Sequence, residues 1–349
     1  MLSTIIKKVI IHSGLFGIIR SLLNIFSGPG ITFMYGHRVL TDEIMANPDD
    51  PRRIAGQSSV SEITELIKSL SKHYHFISID EALDQINNNS IKRESIVLTF
   101  DDGFQDNYLN LLPILKEFSV PAVFYVNSSV ISTEKNLWFQ EIINFFFAVP
   151  DDEIHVVIND KTYDLSSPQK RFDASFNLMR YLQANKHPTQ FDEIIRTIAG
   201  DLAKPSALDR HLTWEDLKNL SKENLITLGA HTVHHYPLAL CNSELSNIEI
   251  TNSITHLENK LAIKIKHFSF PRGNEGDFND THINQIKNAG LISAVSTVRG
   301  VTRSGADNFQ IKRVGLPKEI IGKTDDLLWH VAGFPQLIAS VKSAIGLSQ

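Results

Sequence analysis

Apolar positions along the chain fall into two alternating rhythms. Short β-rich runs at 31–34, 76–79, 96–100 and 122–126 read as strands. Between them apolar residues recur at helical spacing. Ile63, Leu66, Ile67 and Leu70 mark a helix over 61–70, Asp80 is placed to cap one over 81–86, and 109–118 reads as the next. The rhythm returns later, with strands at 225–228, 267–270, 293–297 and 310–315 and helices at 245–261 and 281–289. Strand–helix alternation of this kind predicts an α/β fold with a parallel sheet and crossover helices. Closed into a (β/α) barrel, such a sheet carries its active site at the C-terminal ends of the strands.

The segment at about 132–212 breaks the pattern. Residues 156–158 and 162–165 flank Asn159-Asp160-Lys161 and read as a β-hairpin. Ser167-Pro168 opens a helical stretch to about residue 184, and 191–198 predicts another helix. We expect an insertion over one face of a barrel spanning 31–320, not an independent domain. The ends differ again. Within residues 1–30, Lys7, Lys8 and Arg20 flank and interrupt an apolar stretch too short to span a bilayer. That stretch reads as an amphipathic helix lying on the protein's own barrel or on a membrane surface. A C-terminal helix at 321–349 has the same ambiguity.

Composition narrows the class. Among 349 residues, 42% are hydrophobic and 21% charged, which supports a sizeable core and argues against disorder. A net charge of −5 with scattered basic residues argues against a nucleic-acid partner. The lone Cys241 rules out an internal disulfide framework and is compatible with a reducing compartment. The expected location is the cytoplasm, with the inner-membrane surface as the alternative. Oligomeric state is left open.

Two motifs carry chemistry. Thr99-Phe100-Asp101-Asp102-Gly103 follows a strand, and the glycine lets the backbone turn so that both carboxylates reach one cleft. His231-Thr232-Val233-His234-His235 follows another strand. Alone, the first motif is a common turn, and Thr232 in the second can simply cap a turn. Together, one Asp and two His can hold a divalent metal with open positions, leaving the second Asp free as a base.

With Phe268-Ser269-Phe270-Pro271-Arg272-Gly273 and Tyr35-Gly36-His37-Arg38-Val39 added, the chain resembles the polysaccharide deacetylase family. These are the NodB-homology enzymes of carbohydrate esterase family 4. The last motif resembles the opening of a bacterial exopolysaccharide and O-antigen subgroup, with Gly36 as an extra residue. The resemblance covers roughly 31–317 and implies a distorted (β/α)7-like barrel. It also implies removal of N-acetyl groups from N-acetylhexosamine units of a glycan or glycan precursor.

Carried over residue by residue, Asp102, His231 and His235 would be metal ligands, with zinc expected first and cobalt or nickel as alternatives. Asp101 would be the general base, the backbone N–H of Arg272 would serve the oxyanion, and His37 would be the general acid. His234 is a rival ligand with a spacing that fits the family less well. The usual arginine two residues before Pro271 is absent, with Ser269 in its place, so whether Arg272 reaches Asp101 is open. Trp138 and Trp214 can stack on sugar rings or belong to the core. Asp106 is expected to cap the helix that follows it. Two other readings stand beside the deacetylase: a deformylase of a lipid-linked amino sugar, and a non-catalytic glycan-binding protein.

Overall fold

The computed structural model describes residues 28–53, 57–200, 210–317 and 331. The terminal helices expected within 1–30 and 321–349 lie outside the described residues, apart from 28–30 and 331. The strands in chain order are β1 (Ile31–Gly36), β2 (Val39–Leu40), β3 (Ser58–Ser59), β4 (His75–Phe76), β5 (Ser95–Phe100) and β6 (Ala122–Val126), then β7 (His155–Ile158), β8 (Lys161–Asp164), β9 (Ile226–Ala230), β10 (His267–Ser269), β11 (Ser293–Arg299) and β12 (Ile311–Gly315).

Seven parallel strands close into a barrel in the order β1-β12-β11-β10-β9-β6-β5, with β5 pairing back to β1 from Ile31↔Ser95 to Gly36↔Phe100. The short β4 pairs with the start of β5, while β6 pairs with its end. Every residue of β5 and β6 is buried, as expected for parallel strands covered on both faces.

The two-residue period of a strand sorts the barrel into two packed layers. Ile96, Leu98 and Phe100 of β5, Ala122 and Phe124 of β6, and Leu228 and Ala230 of β9 join one cluster with the surrounding helices Val60–Leu70, Trp214–Leu220, Ser243–Leu261 and Asp280–Asn288. The intervening residues Ile31, Phe33, Val97, Val123, Tyr125, Val295 and Ile311 form a second cluster on the inner face. Ile79, Ala82, Leu83 and Ile86 of helix Ile79–Asn87 belong to that inner cluster. Toward the C-terminal ends of the strands the same inner parity turns polar: Thr99 then Asp101, His231, Ser269 and Arg313. Gly229 is required here, because a Cβ on it would lie 2.4 Å from the Tyr125 ring.

Local differences from expectation have local causes. Ser78, not Asp80, caps the helix Ile79–Asn87, its hydroxyl accepting from the Glu81 N–H at 3.1 Å. Ile79 is therefore helical and β4 ends at Phe76. The helix expected at 109–118 starts as one wide turn, Asn107–Leu111, before becoming regular over Leu112–Phe118. The hairpin β7–β8 turns on Asn159 and Asp160, both at positive φ (49° and 61°), as a two-residue turn demands.

The segment between β6 and β9 also contains helices Trp138–Ala148, Pro168–Asn185 and Phe191–Ala199. These build their own apolar cluster around Ile142, Phe146, Leu178, Leu182 and Phe191. Tyr236, just beyond β9, joins it to the barrel. Among the described residues no helix is long and apolar enough to cross a membrane.

Candidate active site

β5 runs into Asp101-Asp102-Gly103 at the barrel mouth. Asp101 keeps the inner-face parity of Val97 and Thr99. Asp102 and Gly103 then adopt φ of 74° and 68°, turning the chain so that the second carboxylate also faces inward. Glycine is needed at 103, since a Cβ there would meet Val126 Cγ1 at 2.8 Å.

His231 follows β9, its backbone N–H donating to the Val126 carbonyl at 3.1 Å. Its Nδ1–H donates to the Ser269 carbonyl at 2.6 Å, which fixes the tautomer and leaves Nε2 3.4 Å from Asp102 Oδ1. Thr232 (φ 66°) accepts the His235 N–H at 3.0 Å, so it does cap the turn. That turn carries His235 (φ 59°) back until its Nε2 also lies 3.4 Å from Asp102 Oδ1.

One ligand atom from each of Asp102, His231 and His235 lies within 4.8 Å of the others. Asp102 Oδ1, the atom on which both imidazoles converge, is buried without a hydrogen-bond partner. An orphaned carboxylate oxygen facing two imidazole nitrogens is the donor set a divalent cation takes. His234 is not in this group; its Nδ1 lies 2.6 Å from Glu249 Oε1.

The electrostatics match. Burial would raise the Asp102 carboxyl, but the His231, His235 and His37 imidazoles around it hold it well below the usual carboxylate range. Burial pushes His235 down to about 4, so it is neutral at pH 7, the form that ligates metals. His231 moves the other way: burial lowers it, but the Asp102 and Asp101 carboxylates beside it prevail and raise it.

Asp101 is held differently. Arg313 on β12, fully buried, donates to its Oδ1 at 2.9 Å and its Oδ2 at 2.7 Å. The Ser269 hydroxyl donates to Oδ2 at 3.2 Å. Arg313 is itself fixed by the Ser296 carbonyl at 2.7 Å, the Thr99 hydroxyl at 3.0 Å and the Tyr35 ring face at 4.6 Å. Burial pushes the Asp101 carboxyl up, and the Arg313 charge outweighs it and holds it below its ordinary value. Asp101 is therefore an ionised carboxylate and is not part of the Asp102–His231–His235 group.

The arginine that orients Asp101 is thus Arg313, and the question left open for Arg272 is answered against it. The Arg272 side chain instead donates to Gln183 and lies 3.7 Å from Asp277. Sequence reasoning missed Arg313, although its strand was expected. The available signal was parity: Arg313 shares a face with the buried Ile311, while Lys312 between them is exposed. Asp106 does not cap a helix; its carboxylate accepts from Arg38 Nε at 2.8 Å and the Val39 N–H at 3.0 Å. Both partners lie just past His37 in the opening motif.

These groups line a cleft of about 350 Å³, at the small end of ligand-sized cavities. Asp101, Asp102, His231 and His235 line it together with His37, Arg272 and Thr297. The segment between β6 and β9 contributes Trp138, Phe139, Phe176, Met179, Arg180 and Gln183. Trp138 is 3% exposed and donates its indole N–H to the His235 carbonyl at 3.1 Å. Trp214 lies elsewhere, half-buried against the barrel's outer cluster.

A polysaccharide deacetylase family model matches residues 88–294, more than half of the chain. No curated protein matches it. Solved structures do. The deacetylase PplD of Streptococcus pyogenes, in complex with acetate, is 17% identical with a TM-score of 0.54, over 87% of this chain and 97% of that one. IcaB from Ammonifex degensii is 15% identical with a TM-score of 0.55, over 86% and 97%. A de-N-acetylase from Aggregatibacter actinomycetemcomitans is 15% identical with a TM-score of 0.52, over 84% and 99%. At these identities the structural likeness establishes the barrel alone.

Proposed function

The chain belongs to the polysaccharide deacetylase family, and from that premise we propose that it is a metal-dependent hydrolase removing N-acetyl groups from N-acetylhexosamine units of a glycan or glycan precursor. The observation that carries this reading is the pair of adjacent carboxylates with opposite employment. Asp102 presents an unpartnered oxygen to two imidazoles, while Asp101 is kept ionised by Arg313.

A divalent cation held by Asp102, His231 and His235, zinc first given the mixed oxygen and imidazole donors, would supply Lewis acidity toward the amide carbonyl and lower the pKa of a bound water. Asp101 accepts the proton of the attacking water, and Arg313 keeps it in the form able to do so. The backbone N–H of Arg272 meets the charge developing on the carbonyl oxygen. His37, on the cleft wall, donates the proton the departing amine needs. The partly buried rings of Phe139 and Phe176 supply faces for the apolar side of a sugar ring.

The test is product analysis on short N-acetylhexosamine oligomers. Acetate should be released, stop on chelation and resume with zinc or cobalt. Asp101→Asn should retain metal while losing turnover. Acetate release indifferent to chelation would reject the metal-dependent reading. Formate release from a formamido sugar, with no acetate from its acetamido counterpart, would replace it with the deformylase.

A further inference from the structure

Two of the three side chains assigned to the metal stand on backbones that resist their position. Asp102 (φ 74°) and His235 (φ 59°) are non-glycine residues in the left-handed region, whereas His231 is not among the positive-φ residues. Such conformers persist only where the surroundings over-determine them. His231 is held by the barrel itself, through the Val126 and Ser269 carbonyls. The two left-handed ligands are held from elsewhere.

The His235 carbonyl accepts the Trp138 indole N–H at 3.1 Å, and the Phe139 ring sits edge-on to the His235 imidazole, 5.1 Å between centroids. The Asp102 carbonyl lies 3.2 Å from His211 Nδ1, and His211 Nε2 lies 2.8 Å from Gln140 Oε1. Gln140 Oε1 also accepts the Leu137 N–H at 2.9 Å, which locks the amide to the start of its helix. His211 is 5% exposed and stacked on Phe104, 5.0 Å between centroids. Three consecutive residues at the start of helix Trp138–Ala148 thus reach both left-handed ligands, one chain of contacts to each.

We propose that Trp138, and Gln140 acting through His211, are positioning residues for the metal site, so that the segment between β6 and β9 assembles the ligand geometry as well as walling the cleft. The contacts fall on backbone carbonyls, so they set where the ligand side chains start without competing for their donor atoms. Partners of this kind typically change metal affinity by about 10–100-fold when removed. Trp138→Phe keeps an aromatic ring against Phe139 and Phe191 and deletes only the donor. His211→Leu removes the bridge to Asp102, and His211→Asn restores an N–H near the position of Nδ1.

This inference rests on the metal-dependent reading, and the experiment separates the two. Zinc affinity is measured by chelator competition, and the visible spectrum of the cobalt-loaded protein is recorded, for parent and variants. If the parent takes up no zinc, the proposed function fails. If it does, Trp138→Phe and His211→Leu should each weaken zinc by about 10–100-fold and alter the cobalt bands, and His211→Asn should recover most of the affinity. A merely structural role would lower the melting temperature and leave affinity and spectrum unmoved. Trp138→Phe, the mildest change, decides the matter if His211→Leu does not fold. Parent-like zinc affinity and cobalt spectrum in Trp138→Phe would overturn the proposal.

Discussion

Replacing Arg313 by methionine should uncouple the proposed base from the charge that keeps it ionised. The guanidinium makes two bonds to the Asp101 carboxylate, at 2.9 and 2.7 Å, with no solvent access. Removing one partner of a buried pair strands the other charge, at about 3–5 kcal/mol. Bonds to the Ser296 carbonyl, the Thr99 hydroxyl and the Ser269 hydroxyl go as well, which favours the upper end. The sign follows from the ionisation. In the parent, Asp101 is held below its ordinary value, so it contributes stability above the unfolded-state value of about 3.9 and loses it as pH falls through the folded value. Without Arg313, burial dominates and the ordering reverses, so the carboxylate becomes a burden as pH rises. Urea midpoints at about pH 5 and pH 8 should therefore show a deficit in Arg313→Met that widens at the higher pH. The acid limb of kcat/KM should move upward by about one pH unit for each 1.36 kcal/mol of lost stabilisation. Arg313→Lys, which keeps the charge but not the fork, should fall between. The double variant Asp101→Asn/Arg313→Met should be closer to the parent than the sum of the singles, by about 1–3 kcal/mol. An unchanged urea midpoint and an unmoved acid limb in Arg313→Met would refute the reasoning.

Other consequences are as direct. Zinc uptake should release a proton and weaken as pH falls, because His231 is raised by the carboxylates beside it and must be neutral to ligate; calorimetry in buffers of differing ionisation heat measures the proton count. His37→Gln should lower kcat by about 10²–10⁴-fold with zinc affinity unchanged; normal turnover would remove His37 from the mechanism. Gly103→Ala should cost more than about 1 kcal/mol from the left-handed backbone alone, with a further penalty because the new methyl meets Val126; thermal unfolding reads it.

The barrel was legible because its strands are continuous apolar runs bounded by turn residues, and the Asp-Asp and His-x-x-x-His motifs because each sits directly after one of them. What escaped the sequence had identifiable reasons. Arg313 carries no motif; it is one arginine in a strand, and only closure of β12 against β1 brings it across to β5. Asp106 looked like a cap because it precedes a helix, but the helix opens with a wide turn and Arg38 takes the carboxylate. Ser78 outcompeted Asp80 because the chain enters that helix two residues earlier than the apolar spacing suggested. The contacts of Trp138 and His211 with the His235 and Asp102 carbonyls depend on how the segment between β6 and β9 folds back over the mouth, which no local pattern encodes.

Asp102, His235 and Arg272 line the cleft, Thr232 caps the turn that carries His235, and all four hold positive φ, at 74°, 59°, 63° and 66° in that order. Each such residue stores about 1–3 kcal/mol that glycine would release. The reactive end of this barrel is therefore maintained against the grain of its own backbone, and selection for thermal endurance alone would drift toward glycine there. Screens that rank variants only by resistance to heat would favour proteins with a quieter fold and a disassembled centre.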